Sequence, residues 1–193
     1  LPSTRRGGRG VGKRPVLVWV AGWCLLVLLA SARWTQAQFS WEQLQAVYAY
    51  DASRPLDAQE EEPSVTGALQ SQHISFSGAD GERVPAMLYR PVGEERPPCV
   101  LFLHGYGGKK EHGQLAASLL VPQGLAVMAI DARLHGERAE PGKSLLSPES
   151  LADGRPLVNT VIDNRRAIDY LGSRQDLDAE RLTVLGVSMG GIL

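Results

Sequence analysis

Apolar side chains follow two different spacings along the middle of the chain. In QHISFSGADGERVPAMLYRP (residues 72–91), apolar and polar residues alternate on both sides of Asp80-Gly81, which predicts a β-hairpin with its turn at that dipeptide. The segments CVLFLHG (Cys99–Gly105) and LAVMAID (Leu125–Asp131) are almost continuously apolar. Such runs predict strands that are buried on both faces of a parallel sheet. RLTVLGV (Arg181–Val187) predicts a third strand of this kind.

Segments with helical spacing separate these strands. The first predicted helix runs from about Glu111 to Leu120, with Gly124 after its end. The second lies in LVNTVIDNRRAIDYLGS, where the residues expected on one face are Val158, Val161, Ile162, Ala167, Ile168 and Leu171. Alternating strands and helices predict an open α/β sheet with right-handed crossovers. A short helix after Ser40, with Trp41, Leu44, Val47 and Tyr48 on one face, and a linker laid over the domain surface are expected before the hairpin.

The first 37 residues predict an export signal. They hold six basic residues and no acidic one, and Val16–Ala30 is an uncharged apolar stretch of 15 residues. This stretch is shorter than the roughly 20 residues that span a bilayer. We therefore predict a signal peptide cleaved after Ala37, with an uncleaved signal anchor as the alternative, and a periplasmic or extracellular protein. The predicted parts are a signal peptide (1–37), an N-terminal helix and linker (38–71) and an α/β domain (72–193).

Composition limits the partners and cofactors. Residues 38–193 carry a net charge of −7 without a basic stripe, which argues against nucleic acid as a partner. Contact with a membrane is expected only through the export signal. Cys24 would leave with that signal, so Cys99, expected to be a buried apolar residue, is the one cysteine of the mature chain and no internal disulfide is possible. With no clustered histidines either, no metal site and no cofactor are predicted.

Gly186-Val187-Ser188-Met189-Gly190 matches the pattern G-x-S-x-G directly after a predicted strand. A serine lifted above a sheet needs a strained turn with positive φ, and the residues two positions before and after it are then pressed together. Gly186 and Gly190 meet this need, and we expect Gly191 to let the following helix approach the strand. The alternative is an ordinary strand-to-helix turn with a surface serine.

HGYGG (His104–Gly108) follows the first buried strand. Acyl transfer places negative charge on the former carbonyl oxygen, and backbone N–H groups that are already oriented stabilise this charge. We expect one N–H from Met189, directly after the serine, and a second from the loop that follows His104. Taken alone, HGYGG could be only a flexible glycine turn.

On these residues the chain resembles the α/β-hydrolase superfamily. It is most similar to dienelactone-hydrolase-like and acetyl-xylan-esterase-like serine esterases, whose domain resembles the catalytic half of prolyl oligopeptidases. The similar stretches are LFLHGYGGKKE, AVMAIDARLHGER and DLDAERLTVLGVSMGG, within about residues 84–193. The resemblance implies Ser188 as nucleophile, the N–H groups of Tyr106 and Met189 as oxyanion donors, and Gly105, Gly186 and Gly190 as structural glycines of the site.

The base and the acid of a catalytic triad are not found after Ser188. In this superfamily the chain order is Ser, then Asp or Glu, then His, but only Met, Gly, Gly, Ile and Leu follow Ser188. We expect His104 to stabilise its own loop and His112 to lie in solvent, while His135 keeps a possible catalytic role. Asp131 is expected to hold its loop. The prediction is therefore an α/β-hydrolase fold cut at the serine turn, a fragment that is inactive because the triad Asp and His lie beyond Leu193.

The predicted function of the full-length protein is hydrolysis of carboxylic esters through an acyl-enzyme intermediate, on a small-molecule or carbohydrate ester. Two alternatives stay open at this stage. One is a serine peptidase of the prolyl-oligopeptidase type, and the other is a non-catalytic exported binding protein with the same fold. The sequence predicts no oligomeric state.

Overall fold

The computed structural model describes residues 39–193, so the predicted signal peptide and its cleavage after Ala37 lie outside the described part. Contacts divide the chain into two units, with the boundary between Leu44 and Gln45. The described start of the chain forms the expected short helix, α1 (Trp41–Val47). Within residues 39–193, no helix combines the length and the hydropathy that a membrane span requires.

The rest of the described chain contains seven strands and three further α-helices, joined by loops and four short 3-10 helices. The strands are β1 (Gln59–Glu60), β2 (Ser64–Thr66), β3 (Leu69–Ser77), β4 (Arg83–Pro91), β5 (Pro98–Leu103), β6 (Ala126–Ile130) and β7 (Asp178–Gly186). The helices are α2 (Gly113–Leu120), α3 (Pro148–Asp153) and α4 (Arg155–Ser173). The predicted hairpin, the three later strands and the two main helices are thereby confirmed. The short strands β1 and β2 and the helix α3 were not predicted.

The strands form one mixed sheet in the order β1-β3-β4-β6-β5-β7, with β2 also pairing with β3. β3 and β4 are antiparallel over their whole length, and β4 is antiparallel to β6. β5 lies between β6 and β7 and is parallel to both. The carboxyl ends of these three strands therefore meet at one edge of the sheet, where ligands bind in open α/β sheets.

Helices cover both faces of the central strands, which explains the continuous apolar runs. On one face Leu101 and Met128 pack with Tyr170 and Leu171 of α4. On the other face Val100, Val127 and their neighbours pack with Ala116 and Ala117 of α2. Successive residues of a strand point to opposite faces, so each of these strands needs apolar residues at every position. Cys99 is 1% exposed and has a free thiol, in line with its expected role as a small apolar residue.

The linker before the hairpin lies over α4. The Tyr50 hydroxyl donates to the Asp169 carboxylate at 3.0 Å, and the Arg165 guanidinium lies 4.5 Å from the centre of the Tyr50 ring. Arg166 donates to the carbonyls of Arg54 and Pro55. These contacts hold residues 50–55 against α4.

β7, the strand that leads to Ser188, is less covered than its neighbours. In the described part of the chain it pairs with β5 alone. Val184 is 49% exposed and Leu185 is 41% exposed, whereas all five residues of β6 are buried. The prediction of a strand buried on both faces is therefore wrong for β7, because the helices described cover β5 and β6 more fully than this edge.

Candidate active site

Ser188 lies in a strained turn directly after β7. Its φ is +53°, in the left-handed region that residues with a side chain seldom adopt. Val187 before it is extended, and Ser188–Gly191 forms a single 3-10 turn closed by a hydrogen bond from Gly190 N–H to Val187 O at 3.0 Å. Ser188 is exposed at the carboxyl edge of the sheet. The structure thus has the positive φ that the sequence pattern requires.

Two of the three glycines at this turn are required by space. A Cβ atom on Gly186 would lie 2.1 Å from the carbonyl oxygen of Gly190, and one on Gly190 would lie 2.2 Å from the carbonyl oxygen of Leu103. Both are backbone clashes that no rotamer change relieves. A Cβ on Gly191 would be 3.6 Å from its nearest neighbour, an ordinary contact. The expectation that Gly191 allows a close approach is therefore wrong, and Gly190 has this role instead.

The HGYGG loop lies beside the serine turn. A Cβ atom built on Gly105 would be 3.5 Å from Cβ of Ser188 and 3.4 Å from the carbonyl oxygen of Val187. The two segments are also joined by a hydrogen bond from Val187 N–H to Leu103 O at 3.1 Å. The structure thus brings together the two motifs that are about 80 residues apart in sequence. Ordinary contacts at Gly105 mean that space alone does not require glycine there.

His104 hydrogen-bonds through both ring nitrogens. Its Nε2 accepts from Ala132 N–H at 3.2 Å, so in the neutral ring Nδ1 carries the proton and donates to Gly105 O at 2.8 Å. Burial lowers the pKa of His104 below its ordinary value, which favours this neutral form. The expected role of His104 in stabilising its own loop agrees with these bonds.

These bonds fix the peptide that joins Gly105 to Tyr106. Gly105 O accepts from His104 and also from Gly108 N–H at 2.9 Å. In a trans peptide the carbonyl oxygen and the next N–H point in opposite directions. The Tyr106 N–H therefore points away from His104 and Gly108. Met189, the other predicted donor, follows Ser188 in the chain and is 3% exposed.

Asp131 joins the short turn after the HGYGG loop to the loop after β6. Its carboxylate is fully buried and accepts from the backbone N–H groups of Lys110 at 2.7 Å and Glu137 at 3.0 Å. The Lys110 ammonium lies 3.3 Å from the same carboxylate. Burial opposes the charge of Lys110, but its hydrogen bonds to Glu137 and Glu111 raise its pKa. Asp131 thus holds its loop, as expected from its position at the end of a strand.

None of the four histidines forms a pair with Ser188 among the bonds of the described chain. His135 is buried, and its Nδ1 lies 2.9 Å from Arg133 O. His73 contacts Glu61 and Glu137, and His112 is exposed. Within residues 39–193, no group of three or more His, Cys, Asp or Glu residues could hold a metal ion.

An apolar groove of about 860 Å³ begins at the HGYGG loop and runs between α2 and β7. Leu115 and Leu119 of α2 line one side, and Leu185 and Val187 line the other. The sequence gives no sign of this groove, because its two sides come from separate elements.

Ser144 and Leu145 also lie at the site, although no sequence motif includes them. Ser144 Oγ lies 2.7 Å from the Tyr106 hydroxyl, and Leu145 is fully buried against Met189. The one signal in the sequence is a pair of leucines inside the otherwise polar stretch EPGKSLLSPES.

Residues 37–193 match the family model described as acetyl xylan esterase (AXE1). A curated relative, "Putative hydrolase YtaP" of Bacillus subtilis (strain 168), is 33% identical over 127 residues, which cover 58% of this chain and 42% of the relative. Among solved structures, the acetyl xylan esterase from Paenibacillus sp. R4 is 26% identical with a TM-score of 0.62, covering 78% of this chain and 51% of that one. Acetyl xylan esterase 1 from Thermoanaerobacterium sp. JW/SL YS485 is 20% identical with a TM-score of 0.59, over 76% of this chain and 50% of that one, which is a likeness of fold.

These likenesses confirm the predicted α/β-hydrolase fold. The chain spans about half the length of the solved esterases, and less of the curated relative.

Proposed function

Because this chain belongs to the acetyl xylan esterase (AXE1) family, we propose that the whole protein hydrolyses carboxylic esters with Ser188 as its nucleophile. The observation that carries the proposal is the serine turn. Ser188 has a positive φ, is exposed, and is next to the loop whose Gly105–Tyr106 peptide is fixed by two hydrogen bonds. A non-glycine residue held at positive φ costs on the order of 1–3 kcal/mol, and such strain is found most often at functional sites.

The chemistry follows from this arrangement. Ser188 Oγ attacks the ester carbonyl and loses its proton to a base, and the carbonyl oxygen becomes an anion. The N–H groups of Tyr106 and Met189 stabilise that anion. Collapse of the tetrahedral intermediate breaks the ester C–O bond, the protonated base gives its proton to the leaving oxygen, and the acyl group stays on Ser188. Water that gives a proton to the same base then attacks the acyl group, which leaves as a carboxylic acid while Ser188 Oγ takes the proton back.

We propose that the base is a histidine outside these 193 residues. Support comes from the four histidines that the sequence contains: both nitrogens of His104 are bonded, His135 is buried with Nδ1 against a carbonyl, His73 pairs with two glutamates and His112 lies on an exposed turn before α2. On this proposal the 193 residues alone are inactive on esters.

The proposed substrates are esters of small acyl groups, acetyl first, on a carbohydrate or another small alcohol. The family description and the acetyl xylan esterases among the similar structures support this class. We also propose that the protein is exported, which is supported by the basic and apolar pattern of residues 1–37.

Replacement of Ser188 tests the proposal. In the whole protein, Ser188→Ala should lower the rate of p-nitrophenyl acetate hydrolysis by at least about a thousandfold, because the nucleophile is lost. Ser173→Ala is the matched control, since the Ser173 hydroxyl bonds only the Tyr170 carbonyl of its own helix in the described chain; its rate should stay at the wild-type level. An unchanged rate in Ser188→Ala would refute the serine mechanism.

Labelling distinguishes the other functions. A fluorophosphonate probe should modify the wild-type protein at Ser188, with the adduct located by peptide mass spectrometry. A protein that forms no adduct and cleaves no ester would be a binding protein with this fold. A labelled protein that cleaves proline-containing peptide amides faster than p-nitrophenyl esters would be a peptidase.

A further inference from the structure

One short segment contacts both residues that are expected to supply the oxyanion donors. Ser144 Oγ lies 2.7 Å from the hydroxyl of Tyr106. Leu145, the next residue, is fully buried and packs with Met189 and Ala132, which are 3% and 5% exposed. Tyr106 and Met189 are 83 positions apart and belong to different loops, yet the 144–145 segment links to each of them.

We infer that Ser144 and Leu145 are positioning residues that set the distance between the backbone amides of Tyr106 and Met189. The inference rests on the proposed function. Neither residue needs to touch the substrate, since each acts through the side chain of a residue whose N–H is a proposed oxyanion donor.

Two hydrogen bonds to Gly105 O already restrain the Tyr106 amide from one side, and a second restraint through the side chain matters because both neighbours of Tyr106 are glycines. Gly105 and Gly107 flank it, and Gly107 has φ of +72°, so both adjoining residues are conformationally permissive. The Tyr106 ring is 56% exposed and rests edge-on against His135, with 5.6 Å between ring centres. The hydrogen bond to Ser144 adds a fixed point at the far end of this side chain.

The 144–145 segment is itself held in place. Ser144 O accepts from Ser147 N–H at 3.2 Å, and Ser147 Oγ accepts from Ser150 N–H as the N-cap of α3. Leu145 is in the core cluster while Leu146 is 42% exposed. The 144–145 segment therefore links the HGYGG loop and the serine turn to the capped helix α3. Its position does not depend on either of these two loops alone.

An oxyanion hole depends on distance. Donors act at about 2.7–3.1 Å from the developing anion, and loss of one donor lowers kcat about a hundredfold to a thousandfold. A displaced donor still forms a hydrogen bond to the anion, but a weaker one. We therefore expect a smaller fall in kcat, about tenfold. KM should change little, because the ground-state carbonyl carries little of the charge that these amides stabilise.

The test uses the whole protein and p-nitrophenyl acetate. Leu145→Ala should lower kcat about tenfold with KM nearly unchanged, and Leu145→Met, which refills most of the volume, should restore most of kcat. Leu146→Ala is the control, because this neighbour is exposed, and it should keep the wild-type kcat. Equal kcat values for Leu145→Ala and Leu146→Ala would overturn the inference.

A second set of variants keeps the test valid if Leu145→Ala fails to fold. Ser144→Ala and Tyr106→Phe each remove one hydroxyl of the same hydrogen bond, at partly or largely exposed positions. Each should lower kcat about threefold or more, and the double variant should be no slower than either single variant, because both remove the same interaction. Ser144→Thr keeps a hydroxyl and should restore kcat. Full additivity, or a rise in KM without a fall in kcat, would overturn the inference.

The two proposals fail in different ways. A wild-type protein that neither hydrolyses esters nor reacts with a fluorophosphonate would overturn the proposed function, and the inference with it. An active wild type whose Ser144 and Leu145 variants keep normal kcat would overturn the positioning role alone.

Discussion

His104 joins two loops beside Ser188 by using one ring nitrogen as a donor and the other as an acceptor. The bond from Nδ1 to Gly105 O needs a proton on Nδ1, and the bond that Nε2 accepts from Ala132 N–H needs an unprotonated Nε2, so the two together require the neutral ring. A proton added to Nε2 would remove the acceptor and leave the buried Ala132 N–H without this partner. The hydrogen bonds that join these two loops therefore depend on the protonation state of the buried His104 ring.

The stability of the protein should depend on pH through His104. Because its folded-state pKa lies below the ordinary value near 6.5, the folded state binds fewer protons than the unfolded state, so stability should fall as pH drops below about 6.5. One such group changes the free energy of unfolding by at most about 1.4 kcal/mol per pH unit. His104→Asn keeps a donor near the Nδ1 position and cannot titrate. It should be less stable than wild type at pH 8 and should lose less stability between pH 7 and pH 5.

Urea unfolding of the whole protein at pH 8, 7, 6 and 5 measures this difference. His112→Asn, which removes an exposed histidine that contributes least among the causes of the lowered pKa of His104, is the control and should keep most of the wild-type dependence on pH. If His104→Asn and wild type lost stability in parallel, the buried ring would not be the titrating group.

The residues of the candidate site differ in how far the sequence predicts them. Gly186 and Gly190 follow from the steric need of the serine turn alone, and the clashes that a Cβ would make agree with this. Gly191 was expected to have the same kind of role and does not, because the turn after Ser188 leaves room for a Cβ atom at this position. Ser144 and Leu145 could not be predicted, since their contacts to Tyr106 and Met189 come from chain segments that only the folded sheet brings together.

At the scale of elements, the apolar pattern of α4 predicts the helix but only part of its buried face. Of the six apolar residues expected on that face, Ile162, Ala167 and Leu171 are buried, whereas Ile168 is 37% exposed. Asp163 and Arg166 are buried instead. A local pattern cannot reveal this, because these charges are buried only where a partner from a distant segment meets them.

Asp163 shows how such a charge is compensated. Its carboxylate accepts from Arg133 Nε at 2.8 Å and from Arg138 NH1 at 2.9 Å, and it also accepts from Ala79 N–H at 3.2 Å. One buried carboxylate of α4 therefore joins the loop after β6 to the turn of the β3–β4 hairpin.

Removal of this carboxylate should destabilise the protein strongly. In Asp163→Asn the buried guanidinium groups of Arg133 and Arg138 lose their fully buried partner and keep only the more exposed carboxylates of Asp80 and Glu82. We therefore expect a loss of about 3 kcal/mol, the lower end of the range for loss of one partner of a buried ion pair. Asp153→Asn is the control, because its ion pair with Arg155 is at the surface, where such pairs contribute about 0–1 kcal/mol. Urea unfolding of the whole protein measures both. Similar, small losses for the two variants would show that Asp163 is not needed to compensate these charges.

At the scale of the whole molecule, the rhythm of strands and helices predicts the class of fold, but not which strands are neighbours. The chain order β5, β6, β7 becomes the spatial order β6, β5, β7, which places the ends of β5 and β7 side by side. This rearrangement brings the HGYGG loop next to Ser188. The same arrangement leaves the outer side of β7 and the neighbouring side of α2 exposed in the described chain, with Leu115 at 73%, Leu119 at 68% and Leu185 at 41%.

The exposed groove predicts how residues 38–193 behave when they are produced alone. Large contiguous apolar patches on a monomer lead to association, and an exposed strand edge adds to this tendency. We expect the isolated chain to bind the dye 1-anilinonaphthalene-8-sulfonate and to self-associate in light scattering.

Leu115→Lys with Leu119→Lys should reduce both signals severalfold, because the two lysines introduce charge into one wall of the groove at positions already exposed. Leu151→Lys changes a leucine of α3 that is 52% exposed and outside the groove, so it should leave both signals nearly unchanged. A monomeric wild-type chain that binds no dye and unfolds cooperatively on heating would contradict the prediction, whereas an equal effect of all three lysines would mean that net charge, and not the groove, controls association.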